Sequence, residues 1–321
     1  MSRQPKMVIV GSANTDMVIK TRRLPGPGET VIGDKFIMAA GGKGANQAVA
    51  AARLGAHVTF VARLGTDVFG DQAIAGYERE GIDTSFIARD AHHSSGVALI
   101  FVDAHGENSI AVASGANAHL TAADVEQAQK PIANADVLLV QLEVPMDAVR
   151  RAIELANDAG TRAVLNPAPA KEIDRALLAQ LSIATPNEHE IKVVVGEPDP
   201  ERAVLQMLEA GTATVLVTLG PKGVLWATSQ AREIVPAFAV QAVDTTAAGD
   251  AFNGGLACAL GRGLPMAEAI RYANAVAAIS VTRMGAQPSL LGWNEVETFL
   301  KEQALSGQRS ARSSFSPEFS Q

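Results

Sequence analysis

The sequence predicts an α/β fold: a three-layer, mostly parallel sheet with helices on both faces, and a small antiparallel β lid beside it. Short apolar runs rich in β-branched residues alternate with longer segments of helical pattern, and such repeats form parallel sheets through right-handed crossovers. One pair of strands joined by a short polar turn breaks the alternation and predicts the lid. The composition agrees, since 47% of the 321 residues are hydrophobic and 19% are charged, which suits a large α/β core.

The charge balance disfavours several classes of partner. The formal net charge is −7, and no Lys/Arg cluster is dense enough to follow a phosphate backbone, so we expect no nucleic acid partner. The sequence has no apolar stretch long enough to span a bilayer and no signal-peptide pattern at its start, so we expect no membrane partner and a cytoplasmic location. The single cysteine, Cys258, is expected to be a small buried core residue.

The first strand, over residues 7–10, leads into a polar loop that contains Asn14 and Asp16. In α/β sheets, ligands bind beyond the carboxyl ends of the strands, so both side chains are candidate ligand contacts. The alternative is local Asx-turn chemistry, which Asn and Asp also favour. Residues 24–30 are rich in Pro and Gly and predict a turn-rich connection.

A glycine-rich loop over residues 40–47 then enters a helix of small residues over 48–54. It is not a Walker A loop, because Gly44, and not Ser or Thr, follows Lys43. The small residues let this helix pack close to a sheet, and Lys43 and Asn46 offer polar groups at its start.

The hairpin that breaks the alternation follows a strand over 57–63 and a helix over 70–80. Its strands, 97–102 and 109–112, flank a polar turn. We expect the hairpin region, 96–113, to form a small sheet with parts of residues 15–40, which would act as a β lid over a site. The lid and the main sheet would form one domain over 5–303.

The second half of the chain resumes the alternation, with helices expected at 121–134, 147–158, 265–282 and 293–303. Strands are expected at 137–142, 163–165, 183–185 and 215–219. Polar side chains follow two of these strands: Glu143 after the first, and Asn187 and Glu190 after the third. Residues 306–321 are rich in Ser, Arg and Gln without apolar periodicity and predict a disordered tail.

The segment 244–250, Asp-Thr-Thr-Ala-Ala-Gly-Asp, is the strongest functional signal. It follows a strand-like run over 234–243 and opens a helix of small residues. The N–H groups of Ala247, Ala248 and Gly249 would lie at a helix N-terminus, which favours an anion. Asp250 would place a carboxylate beside that anion, which suits a phosphoryl-transfer enzyme that needs a base. The alternative is that Asp250 only stabilises its own first helical turn.

Six motifs together resemble the ribokinase-like carbohydrate kinases, over about residues 5–303. They are residues 11–16, 41–48, 166–169, 185–188, 218–220 and 244–250. The resemblance implies an ATP-dependent kinase that phosphorylates the primary (5-) hydroxyl of D-ribose to give ribose 5-phosphate and ADP. It also implies use of Mg²⁺, activation by K⁺ and a homodimer formed through the β lid.

The resemblance implies a role for each matching position. The sugar would be held by Asn14, Asp16, Gly42, Lys43, Asn46 and Glu143. Asp250 would take the proton, beside an anion hole formed by the backbone of Ala247, Ala248 and Gly249. The nucleotide would lie against Asn187, Thr218, Gly220, Lys222, Gly223, Gly249 and Asn274. Glu190 would hold Mg²⁺ through water. K⁺ would be held by Asp244, Thr246, Ser280, Arg283, Gly285 and Ser289; alternatively, Asp244 caps its turn and Arg283 neutralises it.

Other functions stay open at this point. A kinase of the same family could act on 2-deoxyribose, another sugar or a nucleoside. Asn14 and Asp16 argue against a deoxy sugar, because polar groups beside a missing hydroxyl stay unpaired at a cost of ~1–3 kcal/mol if buried. A nucleoside would need an apolar platform, which the motifs around Asn14 and Lys43 lack. The retained Asp250 argues against a non-catalytic sugar-binding regulator, and the missing glycine fingerprint argues against a dinucleotide-dependent oxidoreductase.

Overall fold

A computed structural model describes residues 4–313 of the chain. The strands are β1 (Lys6–Val10), β2 (Asn14–Lys20), β3 (Lys35–Gly41), β4 (His57–Gly65), β5 (Asp83–Asp90), β6 (Gly96–Val102), β7 (Asn108–Ala113), β8 (Val137–Val140), β9 (Arg162–Leu165), β10 (Ile183–Ala184), β11 (Thr214–Thr218), β12 (Val224–Ala227) and β13 (Arg232–Val235). The α-helices are α1 (Lys43–Arg53), α2 (Val68–Arg79), α3 (Ala122–Gln127), α4 (Gln129–Ala133), α5 (Met146–Ala159), α6 (Arg175–Leu178), α7 (Glu190–Val195), α8 (Pro200–Ala210), α9 (Ala248–Gly261), α10 (Met266–Ser280) and α11 (Trp293–Ser313). Short 3₁₀ helices cover Gly115–His119, Gly220–Lys222 and Gln287–Ser289.

The main sheet has nine strands in the order β13-β12-β11-β10-β9-β8-β1-β4-β5. The strands from β11 to β5 are parallel, and β12 and β13 add an antiparallel edge. Helices α1, α2, α9, α10 and α11 contribute to the core on one face, and α3 to α8 contribute to the core on the other. The predicted three-layer fold is therefore confirmed.

Burial on both faces explains the unbroken apolar runs of the central strands. In β1, Met7 and Ile9 point into one core, whereas Val8 and Val10 point into the other, and all four are at most 1% exposed. A strand that alternates between two dry cores has no polar face, as is usual in parallel sheets. Cys258 is fully buried, as expected.

The β lid is a second sheet of four strands in the order β3-β2-β6-β7. It uses the predicted parts of the chain, but it is mixed rather than antiparallel, because β2 pairs with β6 in parallel. Asn14 and Asp16 lie in β2 and not in a loop, so that prediction is wrong. Residues 14–20 pair on both sides, with β3 and with β6, and the two ladders hold the whole segment extended.

Other predicted boundaries also change. The strand expected over 234–243 ends at Val235, because Pro236 has no N–H to donate and the chain then continues irregularly to the start of α9. The helix expected over 121–134 divides at Ala128 into α3 and α4. Strand β5 and helices α6, α7 and α8 were not predicted.

The end of the chain differs as well. The tail predicted to be disordered from residue 306 is helical up to Ser313, because α11 continues and no proline interrupts it before that point. The rest of the predicted tail, 314–321, lies outside the described residues. Over the described part of the chain, no helix combines the length and the apolar character needed to cross a bilayer.

Candidate active site

The carboxyl ends of the parallel strands meet at one edge of the main sheet and bring the predicted polar residues together. The segments that follow β1, β8 and β10 carry Ser12, Glu143 and Asn187. The β lid starts at the same edge, since β2 begins at Asn14. Helices α1 and α9 begin there too, so their N-termini face the same space. Ligands of open α/β sheets bind at this edge.

Glycine lets the start of α1 approach the sheet closely. Gly42 has a φ of 88°, and a Cβ there would lie 2.7 Å from the backbone nitrogen of Asn14. This approach brings Glu143 against the helix, where its Oε2 accepts the Lys43 N–H (3.0 Å) and the Ser12 hydroxyl (2.5 Å). Gly42, Lys43 and Glu143 therefore share one wall of the candidate sugar site.

Asn14 is held by a residue that the sequence did not single out. Asn117 donates its Nδ2 to the Asn14 Oδ1 (2.8 Å) and to the Ala13 carbonyl (3.0 Å), and its Oδ1 accepts the Ala13 N–H (2.9 Å). With its Oδ1 used in this way, Asn14 has its Nδ2 group left to donate to a ligand. Gly96 makes the contact possible, because a Cβ there would lie 2.2 Å from both amides. Asn117 lies in a 3₁₀ helix without any sequence signature.

Asp250 is buried at the first turn of α9 and is only 6% exposed. Its Oδ2 accepts the Asn46 amide and its Oδ1 accepts the Gln47 amide, each at 2.9 Å. Burial raises the pKa of Asp250, although the charge of Lys43 and the two amide hydrogen bonds oppose the rise. A carboxylate with a raised pKa is a stronger proton acceptor, which suits a general base.

Asp16 brings a further carboxyl group close enough to Asp250 and Glu143 for their charges to interact. Its burial, followed by the negative charges of Glu143 and Asp250, raises its pKa to about 6. Gly41 leaves room for it, since a Cβ there would lie 2.2 Å from its Oδ2. Three carboxyl groups repel an anion but accept hydrogen bonds from hydroxyl groups, so the pocket suits a neutral polyol.

Asn46 carries an acceptor that has no partner among the described residues. Its Nδ2 donates to Asp250, but its Oδ1 is buried without a hydrogen bond. A buried acceptor without a partner is costly unless a ligand supplies the donor. A ligand hydroxyl beside Asp250 would supply it.

The turn before α9 places residues 247–249 at the N-terminus of that helix. Ala247 has a φ of 59°, and α9 begins at the next residue. Apart from the adjoining backbone of its own helix, no heavy atom lies within 4 Å of the position that a Cβ of Gly249 would take, so a ligand can approach its backbone. The Ala248 N–H also donates to the Thr245 carbonyl (3.2 Å) and closes the turn.

Two neighbouring cavities lie along this turn. The smaller, of about 250 Å³, is next to the base and is lined by Lys43, Asn166, Ala168, Thr185, Asn187, Glu190, Thr218, Thr245, Ala247, Ala248, Gly249, Asp250 and Asn253. The larger, of about 580 Å³, has a mainly apolar lining that includes Thr218, Gly220, Gly223, Phe238 and Asn274. Both cavities touch Thr218, Thr245, Ala248 and Gly249. A polar compartment beside an apolar one suits the phosphates and the base of a nucleotide.

The predicted nucleotide contacts differ in how they meet these cavities. Asn274 lines the larger one, but its Nδ2 donates to the carbonyls of Val235 (3.3 Å) and Pro236 (3.0 Å) and so holds the cavity wall. Lys222 is exposed in its 3₁₀ helix. In the smaller cavity, Glu190 accepts the Asn187 N–H (2.9 Å), and burial raises its pKa.

Asp244 ties the turn to the segment after α10. Its Oδ1 accepts the Thr246 N–H (2.9 Å) and its Oδ2 accepts the Gly285 N–H (2.8 Å). Burial alone would raise the pKa of Asp244, but these hydrogen bonds outweigh it and the pKa is lowered, so the group stays ionised. Arg283 pairs with Glu295 (2.6 Å), so the alternative in which Arg283 neutralises Asp244 is wrong.

The two predicted serines of this region are buried close to their own helices. The Ser280 hydroxyl donates to the Ala277 carbonyl (2.8 Å), and the Ser289 hydroxyl donates to the Ala286 carbonyl (2.7 Å). The structure thus joins Asp244, Thr246 and Gly285 directly, whereas the serine hydroxyls satisfy local carbonyls.

A buried carboxyl group beside a helix N-terminus, next to a polar and an apolar cavity, suits an enzyme that transfers a phosphoryl group to an alcohol. The chain belongs to the pfkB family of carbohydrate kinases, whose sequence profile matches residues 4–292.

Comparison with individual proteins also finds carbohydrate kinases. The ribokinase of Haemophilus influenzae is 44% identical over 300 residues, which cover 92% of this chain and 98% of that protein. The deoxyribokinase of Salmonella typhi is 39% identical over 298 residues, which cover 90% of this chain and 97% of that protein. The solved structure of Arabidopsis thaliana ribokinase complexed with ribose and ATP is similar with a TM-score of 0.85 and 32% identity, covering 93% of this chain and 99% of that one.

Proposed function

We propose that this protein is an ATP-dependent kinase that transfers the γ-phosphoryl group of ATP to the primary (5-) hydroxyl of D-ribose, giving ribose 5-phosphate and ADP. The observation that carries the proposal is the position of Asp250. Asp250 lies in the first turn of α9, where it lines the smaller cavity and accepts the amides of Asn46 and Gln47, and its charge acts on the nearby Asp16.

Each group of site residues has its own role in the proposed reaction. Asn14, Asp16, Asn46 and the wall formed by Gly42, Lys43 and Glu143 orient the sugar. Asp250 takes the proton of the primary hydroxyl as that oxygen attacks the γ-phosphorus, and the bond to the ADP oxygen breaks. The N–H groups of Ala247, Ala248 and Gly249 stabilise the charge on the transferring group, with the Ala248 N–H shared between the Thr245 carbonyl and a phosphoryl oxygen. The Lys43 side chain lines the same cavity and adds positive charge.

The smaller cavity also fits a hydrated Mg²⁺ ion. The Glu190 carboxylate and the Asn187 amide both line it, and Mg²⁺ prefers oxygen ligands while keeping several of its waters. We propose that Glu190 holds the ion through water. A bound Mg²⁺ would neutralise charge on the phosphate oxygens of ATP.

The proposal is tested by ADP release from the purified protein with ribose, 2-deoxyribose, fructose and adenosine as acceptors. Ribose is expected to give the highest kcat/KM, because Asn14 and Asp16 need hydroxyl partners and a missing one leaves a buried polar group unpaired. Asp16→Ala should reduce the preference for ribose over 2-deoxyribose while the KM for ATP stays close to that of the parent.

The deoxyribokinase relatives make 2-deoxyribose the competing substrate. If the parent protein uses both sugars at equal kcat/KM, the assignment of Asp16 as the discriminating residue is wrong. A higher kcat/KM with 2-deoxyribose would replace ribose as the proposed substrate. Glu201→Ala is a suitable control and should leave the sugar preference unchanged. Glu201 is an exposed carboxylate of α8, which packs on the face of the sheet opposite α1 and α9.

We also propose a homodimer in which two lids meet. The lid exposes apolar side chains on neighbouring strands: Phe36 is 60% exposed, and Met38 and Leu99 are each 48% exposed. Met38 and Leu99 both lie beside Met17 in the sheet, so they share one face with it. A sheet of four strands cannot cover this face itself, and a second copy of the chain provides the simplest closure.

The lid dimer predicts the result of a light-scattering experiment. The parent protein should be a dimer at micromolar concentration, and Leu99→Glu should shift it to monomer, because the charge would be buried at the contact. Val68→Glu is the matched control, since Val68 is 59% exposed at the start of α2 and should leave the dimer intact. A monomeric parent would contradict the proposal.

Finally, we propose a K⁺ site beside the anion hole, formed by Asp244 and the Thr246 carbonyl with carbonyls of the segment that carries Ser280, Arg283, Gly285 and Ser289. An ionised carboxylate lies there against a helix C-terminus, where the carbonyl groups give a negative potential. Such oxygen donors suit a weakly hydrated cation. The ion would hold the turn that carries the anion hole and would touch neither substrate.

A further inference from the structure

A row of hydrogen-bonded, buried amide side chains extends from the Asp250 carboxylate into the protein core. The Gln47 Nε2 donates to the Asp250 Oδ1 (2.9 Å) and to the Asn166 Oδ1 (3.0 Å). The Gln47 Oε1 accepts the Gln141 Nε2 (2.6 Å). Gln47 and Gln141 are fully buried and Asn166 is 6% exposed. The phosphoryl transfer described above assigns no role to these three amides.

Each amide of this row has one orientation that satisfies its neighbours. The Asn166 Nδ2 donates to the Thr185 carbonyl (3.2 Å), which can only accept, so the Asn166 Oδ1 faces Gln47. The ionised Asp250 carboxylate also can only accept. Gln47 must therefore present its Nε2 to both partners, and its Oε1 must face Gln141. The bond from Asn166 to the Thr185 carbonyl therefore helps to determine that Gln47 presents its Nε2 to Asp250.

The fold makes special room for Gln141. A Cβ at Gly11 would lie 2.0 Å from the Gln141 Oε1, so glycine there admits the side chain. The Gln141 Oε1 is itself buried without a hydrogen bond among the described residues. An amide that leaves its own acceptor unpaired in order to deliver its donor is unfavourable for stability alone, which favours a functional reason for it.

The same network reaches the anion hole. The Thr185 hydroxyl donates to the Asn253 Oδ1 (2.6 Å), and the Asn253 Nδ2 donates to the Gly249 carbonyl (2.8 Å). Through Asn166 and Thr185, the bonds therefore connect the amide behind the base with the first turn of α9.

We infer that Gln47 is a positioning residue for the general base, and that Gln141 and Asn166 hold Gln47 in the orientation that donates to Asp250. The inference rests on the proposed function, because it assigns Gln47 a task in proton removal from the sugar. The amides of Asn46 and Gln47 bind opposite oxygens of the carboxylate and so fix its plane. A base with a fixed plane presents its free lone pair to the primary hydroxyl without rotating first.

The effect has a signature in the pH dependence of kcat. An N–H donor stabilises the ionised carboxylate, so its loss raises the pKa of the base, and the acid limb of the kcat profile moves to higher pH. The charged groups that interact with Asp250 are Lys43, Glu143, Asp16 and Glu190. All four stay in place when Gln47 is changed, so a shift relative to the parent reports the lost donor.

The test compares Gln47→Met and Gln141→Met with the parent protein. Gln47→Met keeps the volume and removes the donor. We expect its acid limb to move up by about 1–2 pH units and kcat at fixed pH on that limb to fall by about tenfold or more, with the KM for ribose changed by less than about threefold. Gln141→Met leaves Gln47 in place but removes the hydrogen bond to its Oε1, which then stays buried and unpaired, so Gln47 is held less firmly and the same limb should move in the same direction by a smaller amount.

Tyr77→Phe is the control, because the Tyr77 hydroxyl is buried, has no hydrogen-bond partner among the described residues and lies in α2. It should leave both kcat and the acid limb unchanged. An acid limb at the parent position in either glutamine variant overturns the inference, as does an equal loss of kcat at every pH. If Gln47→Met does not fold, Gln141→Met decides alone. A parent protein that phosphorylates none of the tested sugars overturns the proposed function first, which separates the two failures.

Discussion

Replacing Asp250 by asparagine is expected to lower the turnover of ribose phosphorylation by about 10²–10⁴-fold. Asparagine has the size of the native residue and can still bond to Asn46 or Gln47, but it cannot take the proton of the attacking hydroxyl. In the proposed site ribose would also bind through Asn14, Asp16 and Glu143, so its dissociation constant should change far less than kcat. The measurement is single-turnover product formation together with calorimetric titration of ribose.

The parent enzyme should also lose activity as the pH falls. Burial raises the pKa of Asp250, so the protonated and inactive form accumulates at a higher pH than it would for an exposed aspartate. Asp71→Asn is the control, because Asp71 forms an exposed ion pair with Arg89 outside the site. Turnover by Asp250→Asn within a few-fold of the parent would show that another group removes the proton.

The sequence predicts the turn around Asp250 because every part of it is local. Consecutive small residues at 247–249, followed by Asp250 and a helix of small residues, give the helix N-terminus and the position of the base without knowledge of distant contacts. Phosphoryl-transfer chemistry could be predicted for the same reason. The glycine-rich start of α1 is equally local, since Gly42 has a φ of 88°, a backbone conformation that glycine adopts readily.

The supports of the site could not be predicted, because they join strands that are far apart in sequence. Gln141 follows β8 and Asn166 follows β9, and only the strand order of the sheet brings both to Gln47. Asn117 holds Asn14 across more than a hundred residues of chain. Gln47 did have a signal, since it is a second amide beside Asn46 in a helix of otherwise small residues.

The strand pairing of the lid could also be predicted only in part from the sequence. The hairpin of β6 and β7 is predicted by its turn, but the parallel pairing of β2 with β6 depends on chain segments that have no turn in common. That pairing extends β2 to Asn14 and converts the expected loop into a strand. The proposed sugar contacts Asn14 and Asp16 therefore lie two residues apart on one face of the lid sheet.

The proposed cation site predicts that activity depends on K⁺. At constant ionic strength, replacing K⁺ by tetramethylammonium is expected to lower kcat/KM by about 5–150-fold, the range of a typical coupling free energy between sites. The reason is that Asp244 bonds to both Thr246 and Gly285, so a cation beside it would hold the anion-hole turn against the segment after α10. Na⁺, which is smaller and more strongly hydrated, should restore much less activity than K⁺.

Asp244→Ala should abolish the dependence of activity on K⁺. Its rate in K⁺ should equal its rate in tetramethylammonium, and both should match the parent protein without K⁺. A variant that falls well below that level in both salts has a damaged turn, and then the parent response to K⁺ decides. Glu201→Ala is the control: Glu201 is an exposed carboxylate of α8 and is not part of the proposed cation site, so the response to K⁺ should persist. Equal parent rates in K⁺ and tetramethylammonium would exclude the site, because an ion that holds the turn must alter how well the turn binds the transferring phosphoryl group.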